Sequence, residues 1–135
     1  KGTDTLRGGL GADFLSGGSS NDILRGNSGG DVIIGGSGKD KLNGGAGDDY
    51  LKGDAGKDTL IGGKGLDTFD IVGKDIVKDF SPSEGDIINI NEALYGTNIS
   101  AIDTDQGTIL TSNTGLEALI KNTSSFVVQA YIEFY

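Results

Sequence analysis

The chain has no cysteine, no histidine, no methionine and no tryptophan, and a single proline among its 135 residues. Without cysteine there is no disulfide frame and no thiol nucleophile. Without histidine as well, there is no Ser-His-Asp triad and no zinc site of the usual Cys/His kind. One proline excludes collagen and Pro-rich linkers. Hydrophobic residues make up only 35% of the chain, too few for a large conventional core, and no apolar run approaches the ~18 residues of a membrane span. No N-terminal signal peptide is visible. Positive charge is also scarce: 11 Lys and Arg stand against 20 Asp and Glu, a net charge of -9. That balance argues against a nucleic-acid partner, whose binding proteins are usually basic, and nothing points to membrane insertion. The length suits one domain. A chain without methionine that starts in mid-pattern is expected to be a piece of a longer protein.

Glycine is what the chain has in excess, at 25 residues. Twenty-one of them fall in residues 1–73, and a nine-residue period accounts for their placing. From Gly8 the chain reads GGLGADFLS, GGSSNDILR, GNSGGDVII, GGSGKDKLN, GGAGDDYLK, GDAGKDTLI and GGKGLDTFD, after a partial copy GTDTLR from Gly2 to Arg7. The sixth place is Asp4, Asp13, Asp22, Asp31, Asp40, Asp49, Asp58 or Asp67 in every copy. The eighth is always apolar: Leu6, Leu15, Leu24, Ile33, Leu42, Leu51, Leu60 or Phe69. A flexible Gly/Asp linker would not keep the apolar place in such strict register.

The pattern G-G-x-G-x-D-x-U-x resembles the calcium-binding repeat of RTX (repeats-in-toxin) proteins. The resemblance covers roughly Gly2 to Ile90. The residues support it on their own terms. The last three places of a copy, such as Phe14-Leu15-Ser16, are long enough only for a brief strand, with place eight pointing in and places seven and nine out. The six Gly-rich residues before them make a turn, because glycine permits φ > 0 and lets main-chain carbonyls converge. Strand–turn–strand–turn gives a coil of two repeats, with two sheets back to back around a thin Leu/Ile ladder. The chain is thus expected to be all-β. As in the RTX family, the resemblance implies a right-handed parallel β-roll, a β-helix or solenoid; the alternating residues of the tail are expected to add an antiparallel β cap.

Alternate repeats stack in such a coil, so Asp4, Asp22, Asp40 and Asp58 share one edge and Asp13, Asp31, Asp49 and Asp67 the other. Coils lie ~4.8 Å apart, and two unit charges about 5 Å apart repel by roughly 3 kcal/mol at an effective dielectric of ~20. One buried Leu or Ile per repeat, worth ~1.5–3 kcal/mol, does not offset this once chain entropy is counted. A counter-ion is required. Carboxylates with turn carbonyls suit calcium, which takes six to eight oxygens, better than magnesium, which wants strict octahedra. Removing the eight repeat aspartates from the 20 acids leaves 12 against 11 bases, so the excess acidity is the ligand set.

The expected metal ligands are those eight aspartates and Asp75, a ninth after a one-residue slip. The turn carbonyls are those at Gly8, Gly11, Gly17, Gly26, Gly29, Gly35, Gly38, Gly44, Gly47, Gly53, Gly56, Gly62 and Gly65. Sites between stacked turns number about six or more, about three to an edge. Asp79 and Asp86 read as surface carboxylates and weaker candidates. Ser20 takes the place of glycine at the fourth position, where φ > 0 costs ~1 kcal/mol and weakens nearby sites. Asn27 and Asp54 at the second position tolerate left-handed backbone better.

Residues 1–80 are accordingly expected to form the roll, and 81–135 a capping region. GKDIVKDF and GDIINI (Gly73–Phe80, Gly85–Ile90) are similar to the closing coil of RTX domains. Asn91–Leu94 reads as a helical turn capped by Asn91. Ile99–Ile102 and Thr108–Thr111 read as a hairpin, Leu116–Ile120 as a strand, and FVVQAYIEFY alternates as a strand does. This tail should dock on the sheet face that carries Phe14, Val32, Ile34 and Tyr50, or on the C-terminal end of the roll. The opposite face carries Arg7, Arg25, Lys41 and Asn43.

In position and character the tail also resembles the uncleaved signal of type I secretion substrates. That implies a secreted or cell-surface protein and, as partners, an ABC transporter, a membrane fusion protein and an outer-membrane channel. The expected function is a calcium-binding module, open at low calcium and folded after export, at the C-terminus of a larger bacterial protein. An alternative is a module that binds an anionic extracellular polysaccharide or forms part of a cell-surface adhesin. No catalytic residues are expected, since the paired carboxylates are committed as ligands; any enzymatic activity would lie elsewhere in the longer protein.

Overall fold

The structure, a computed structural model, describes residues 2–90 and four further strands, 99–104, 107–112, 117–120 and 132–134. Each repeat contributes one strand: β1 (Thr5–Leu10), β2 (Phe14–Ser19), β3 (Ile23–Ser28), β4 (Val32–Gly38), β5 (Lys41–Ala46), β6 (Tyr50–Gly56), β7 (Thr59–Lys64) and β8 (Thr68–Ile71). Odd and even strands separate into two sheets of parallel strands. Leu6 pairs with Leu24, Leu24 with Leu42 and Leu42 with Leu60 in one. Leu15 pairs with Ile33, Ile33 with Leu51 and Leu51 with Phe69 in the other. Identical places of alternate repeats thus lie side by side, and the chain is a parallel β-solenoid.

The coil continues past the regular repeats. β9 (Ile76–Val77) pairs in parallel with β7, and β10 (Ile87–Ile90) with β8. Beyond them, β11 (Ile99–Thr104), β12 (Gly107–Ser112) and β13 (Glu117–Ile120) pair antiparallel to one another, while β13 lies parallel to β9. β14 (Ile132–Phe134) lies parallel to β10. The first sheet therefore runs β1-β3-β5-β7-β9-β13-β12-β11 and the second β14-β10-β8-β6-β4-β2. These tail strands lengthen both sheets at the C-terminal end. Phe14 stays 68% exposed, so its face carries no such cover at the first coil. The helical turn expected at Asn91–Leu94 lies outside the described residues, as does most of the final ten-residue segment.

The strands are longer than the apolar places alone suggest. β1 to β7 begin at place seven and run on through places one to three of the next repeat, or to place four in β4 and β6, so that Asn27-Ser28 pair with Gly45-Ala46. Parallel ladders are made by main-chain groups, which glycine and serine supply as well as leucine does. That leaves places four to six, or five and six after β4 and β6, to turn the chain.

The core is one residue wide. Leu24, Ile33, Leu51, Leu60 and Phe69 are fully buried, and Ile71, Val77, Ile88 and Ile120 carry the ladder into the closing coil. Leu6, in the first described strand, is only half-buried. Glycines at places two and four take positive φ, and the three residues that replace them do the same: Ser20 at φ 96°, Asn27 at 82° and Asp54 at 66°. Ser20 is the worst suited, being without the Asn/Asp tolerance of this region. Ser20→Gly should therefore stabilise the roll by about 0.5–1 kcal/mol after the added freedom of the unfolded chain is counted. Urea denaturation at fixed solution conditions checks this, and an unchanged or lower midpoint would count against strain at this turn.

Candidate metal centre

The turn at places four to six delivers each repeat aspartate to the start of a strand, where its main chain is tied to the following coil. The Asp4 N–H donates to Asp22 Oδ1 at 2.7 Å, Asp22 to Asp40 at 2.7 Å and Asp40 to Asp58 at 2.7 Å. On the other edge Asp13 donates to Asp31 at 2.8 Å, Asp31 to Asp49 at 2.7 Å and Asp49 to Asp67 at 3.0 Å. The aspartate carbonyl is used as well, accepting for example the Lys41 N–H at Asp22 and the Tyr50 N–H at Asp31. Two ladders of carboxylates result, one along each edge. Place five adds a weaker version in two turns, where Lys39 N–H donates to Asn21 Oδ1 and Leu66 N–H to Asp48 Oδ1.

The second carboxylate oxygen has no such partner. Oδ2 of Asp13, Asp22, Asp31, Asp40, Asp49, Asp58 and Asp67 is buried with no hydrogen bond among the described residues. It lies beside the place-one glycine of its own repeat. A Cβ added to Gly17 would sit 2.6 Å from Asp22 Oδ2 and 2.7 Å from the Gly35 carbonyl oxygen. At Gly35 the same Cβ would meet Asp40 Oδ2 and the Gly53 carbonyl, at 2.6 and 2.8 Å. Gly26 and Gly44 repeat the arrangement with Asp31 and the Gly44 carbonyl, and with Asp49 and the Gly62 carbonyl. These place-one glycines do not take positive φ. Their requirement is room: carboxylate and carbonyl oxygens close on a spot that any side chain would fill.

Burial governs the electrostatics. It pushes the Asp58 and Asp67 carboxyls up to about 7 and Asp49 to about 6, against the opposing pull of the amide from the adjacent coil. Like charges add to the rise, Asp75 and Asp40 at Asp58 and Asp86 and Asp49 at Asp67. Asp40 is raised for the same reasons. Stacked anions in a dry edge are poorly tolerated, and the remedy is a proton or a cation.

Among the described residues no three acidic side chains gather as a conventional metal cluster. Carboxylates meet in stacked files instead, and the remaining donors are main-chain carbonyls. That donor set is all oxygen, anionic and adaptable. It fits calcium, which accepts irregular six- to eight-fold oxygen shells. Asp4, exposed at the first turn, joins the same file through its main-chain N–H, which donates to Asp22 Oδ1. Asp75 stacks under Asp58, 17 residues on, as the one-residue slip predicts. Asp86 departs from expectation. It is buried rather than a surface carboxylate, and its Oδ1 accepts the Asp67 N–H at 3.0 Å. Asp79 is half-buried and accepts the Gly62 and Gly63 amides. Neither is set at the nine-residue spacing, so the period gives no signal for them.

A family model of the RTX calcium-binding nonapeptide repeat, in four copies, matches residues 1–33 and 34–69. A solution structure of the AlgE6R3 subunit from the Azotobacter vinelandii mannuronan C5-epimerase is similar at 25% identity, covering 98% of this chain and 80% of that one with a TM-score of 0.43. No curated protein matches the chain.

The raised carboxyls fix a pH dependence for the metal-free chain. Unfolded aspartate titrates near 3.9, so between about 4 and about 7 the roll holds more protons than the open chain, and its stability falls as pH rises through that window. A chelated sample should gain β circular dichroism on acidification from pH 8 to pH 5. Loss of β signal over that range, or none gained, would contradict the burial of these carboxylates.

Proposed function

Since the chain belongs to the RTX calcium-binding nonapeptide-repeat family, we propose that it is a calcium-driven folding module at the C-terminus of a larger secreted bacterial protein. The observation that carries this reading is the row of seven buried, unpartnered carboxylate oxygens. A bound calcium ion supplies the positive charge and open coordination shell that these oxygens lack. The aspartates at place six would hold it through Oδ2, with turn carbonyls such as those of Gly35, Gly44, Gly53 and Gly62 alongside.

At low calcium the ladders repel and the chain stays open, in a form that a type I exporter can thread. At high external calcium the turns fill, the sheets register and the Leu/Ile ladder closes. Binding and folding are one equilibrium, so ion concentration sets stability. The segment itself does no catalysis in this reading, because its paired carboxylates serve as ligands. Calcium titration of a chelated sample at pH 7.5 should produce a large, cooperative gain of β circular dichroism that magnesium does not reproduce. A chelated sample with the same fold and melting point as the calcium-loaded one would end the proposal.

A second reading rests on the outer face of the first sheet. Arg7 and Arg25 are exposed and lie directly opposite one another, with exposed Lys41 on the neighbouring strand. Like charges in register are unfavourable on their own and suit an anionic partner laid across them. Extracellular polysaccharide with carboxylate groups is such a partner. Binding to alginate should then weaken with salt and drop several-fold in Arg25→Ala; unchanged binding in that variant would remove the reading.

A further inference from the structure

Asp75 and Asp86 continue the two ladders but differ from the seven aspartates before them. Oδ1 of each accepts the expected amide, from Asp58 and Asp67, both at 3.0 Å. Their second oxygens are satisfied as well. Val72 N–H donates to Asp75 Oδ2 at 3.0 Å, and Ser81 N–H to Asp86 Oδ2 at 2.7 Å. Main-chain amides thus hold both oxygens, where each repeat aspartate leaves one over.

The turns that lead into these two residues have changed in a matching way. Five residues before each aspartate the repeats place a glycine, and at Gly17, Gly26, Gly35 and Gly44 its missing Cβ leaves open a spot lined by the carboxylate and a carbonyl of the next coil. Register puts Ile71, one residue beyond the Asp70–Lys52 pair, and Asp79, two beyond the Val77–Leu60 pair, at the corresponding places. Each brings a side chain where the repeats have none. Main-chain bonding differs too. Regular turns bond across to the next coil, Gly11 N–H to the Ser28 carbonyl, Gly29 to Ala46 and Gly47 to Lys64. The turn before Asp86 bonds to itself, with Glu84 and Asp86 N–H on the Ser81 carbonyl and Gly85 N–H on that of Pro82. The Ser81 and Pro82 carbonyls thus accept amides of their own turn. Asp79 finishes the edge by accepting the Gly62 and Gly63 amides at 2.9 and 3.0 Å.

We propose that Asp75 and Asp86, with Asp79, terminate the two ladders without metal, amide N–H groups standing where the repeats take a cation. The inference rests on the calcium reading and revises the sequence-based assignment of Asp75 as a ninth ligand. Two amide donors on each carboxylate oppose the burial that raises Asp75 and Asp86. A calcium ion, which needs six to eight oxygens, finds neither a free carboxylate oxygen nor a carbonyl cradle at these turns. The length of each metal file is then set by the chain's own terminators.

Bound calcium per chain, counted by equilibrium dialysis on the whole 135-residue chain, tests this. Asp49→Asn and Asp58→Asn, one in each ladder, should each lose at least one ion. Asp75→Asn and Asp86→Asn should keep the wild-type count while melting at a lower temperature. Loss of an ion from either of the latter overturns the proposal, whereas a wild-type chain that binds no calcium overturns the calcium reading itself. Should the Asp75 and Asp86 variants fail to fold, hydrogen exchange in the calcium-loaded wild type decides. Slow exchange at the Val72 and Ser81 amides supports the terminators, and exchange at the rate of free amides refutes them.

Discussion

The whole architecture turns on one hydrogen bond, made again every 18 residues, between the amide of one aspartate and Oδ1 of the aspartate stacked on it. That bond fixes the register of the coils and at the same time buries the carboxylate. Its other oxygen is left in a dry edge with nothing to bond. Leaving a buried polar or charged group unmet costs several kcal/mol, comparable to or more than one buried Leu or Ile per repeat returns at ~1.5–3 kcal/mol. The contact that organises the roll is therefore also the one that sets carboxylate charge against its closure. The proposed dependence on an ion rests on this bonding pattern and calls for no separate sensing element.

Glycine serves this scheme in two different ways. At places two and four it takes positive φ, and Ser20, Asn27 and Asp54 show that other residues can be forced into the same backbone. At place one its φ is ordinary, and the need is for empty volume beside Asp Oδ2 and a carbonyl of the adjacent coil. The chain's own variation agrees with the difference. Places two and four carry three substitutions in the seven full copies, place one none. Strained backbone can be held by its neighbours, but a Cβ cannot share space with the oxygens that make the site.

In a solenoid each coil meets only the coils beside it, so its ends have to be finished by something other than another repeat. At the C-terminal end the finishing is polar as well as apolar. Phe80 packs edge-on against Phe69, with ring centroids 6.5 Å apart, while Asp75, Asp79 and Asp86 gather the amides that no further repeat is there to bond. The N-terminal coil has no comparable cover among the described residues, and Leu10 and Phe14 stand exposed there.

Periodicity was enough to read the solenoid, the assignment of Asp22 and Asp31 to opposite edges, the one-residue core from Leu24 to Phe69, and an oxygen-ligating metal. Each depends on which residue type recurs at which place, and that is printed in the chain. Strand length was misread because glycine and serine carry no side-chain signal of a ladder that main-chain groups build. The burial of Asp86, the amide clasp at Asp79 and the second bond of Asp75 fall off the nine-residue spacing, and arise only where the last coil folds back on the one before. Which oxygen of a carboxylate is bonded and which is left over is a matter of stacking geometry. No residue letter encodes it, because both oxygens belong to the same aspartate until a neighbouring coil claims one of them.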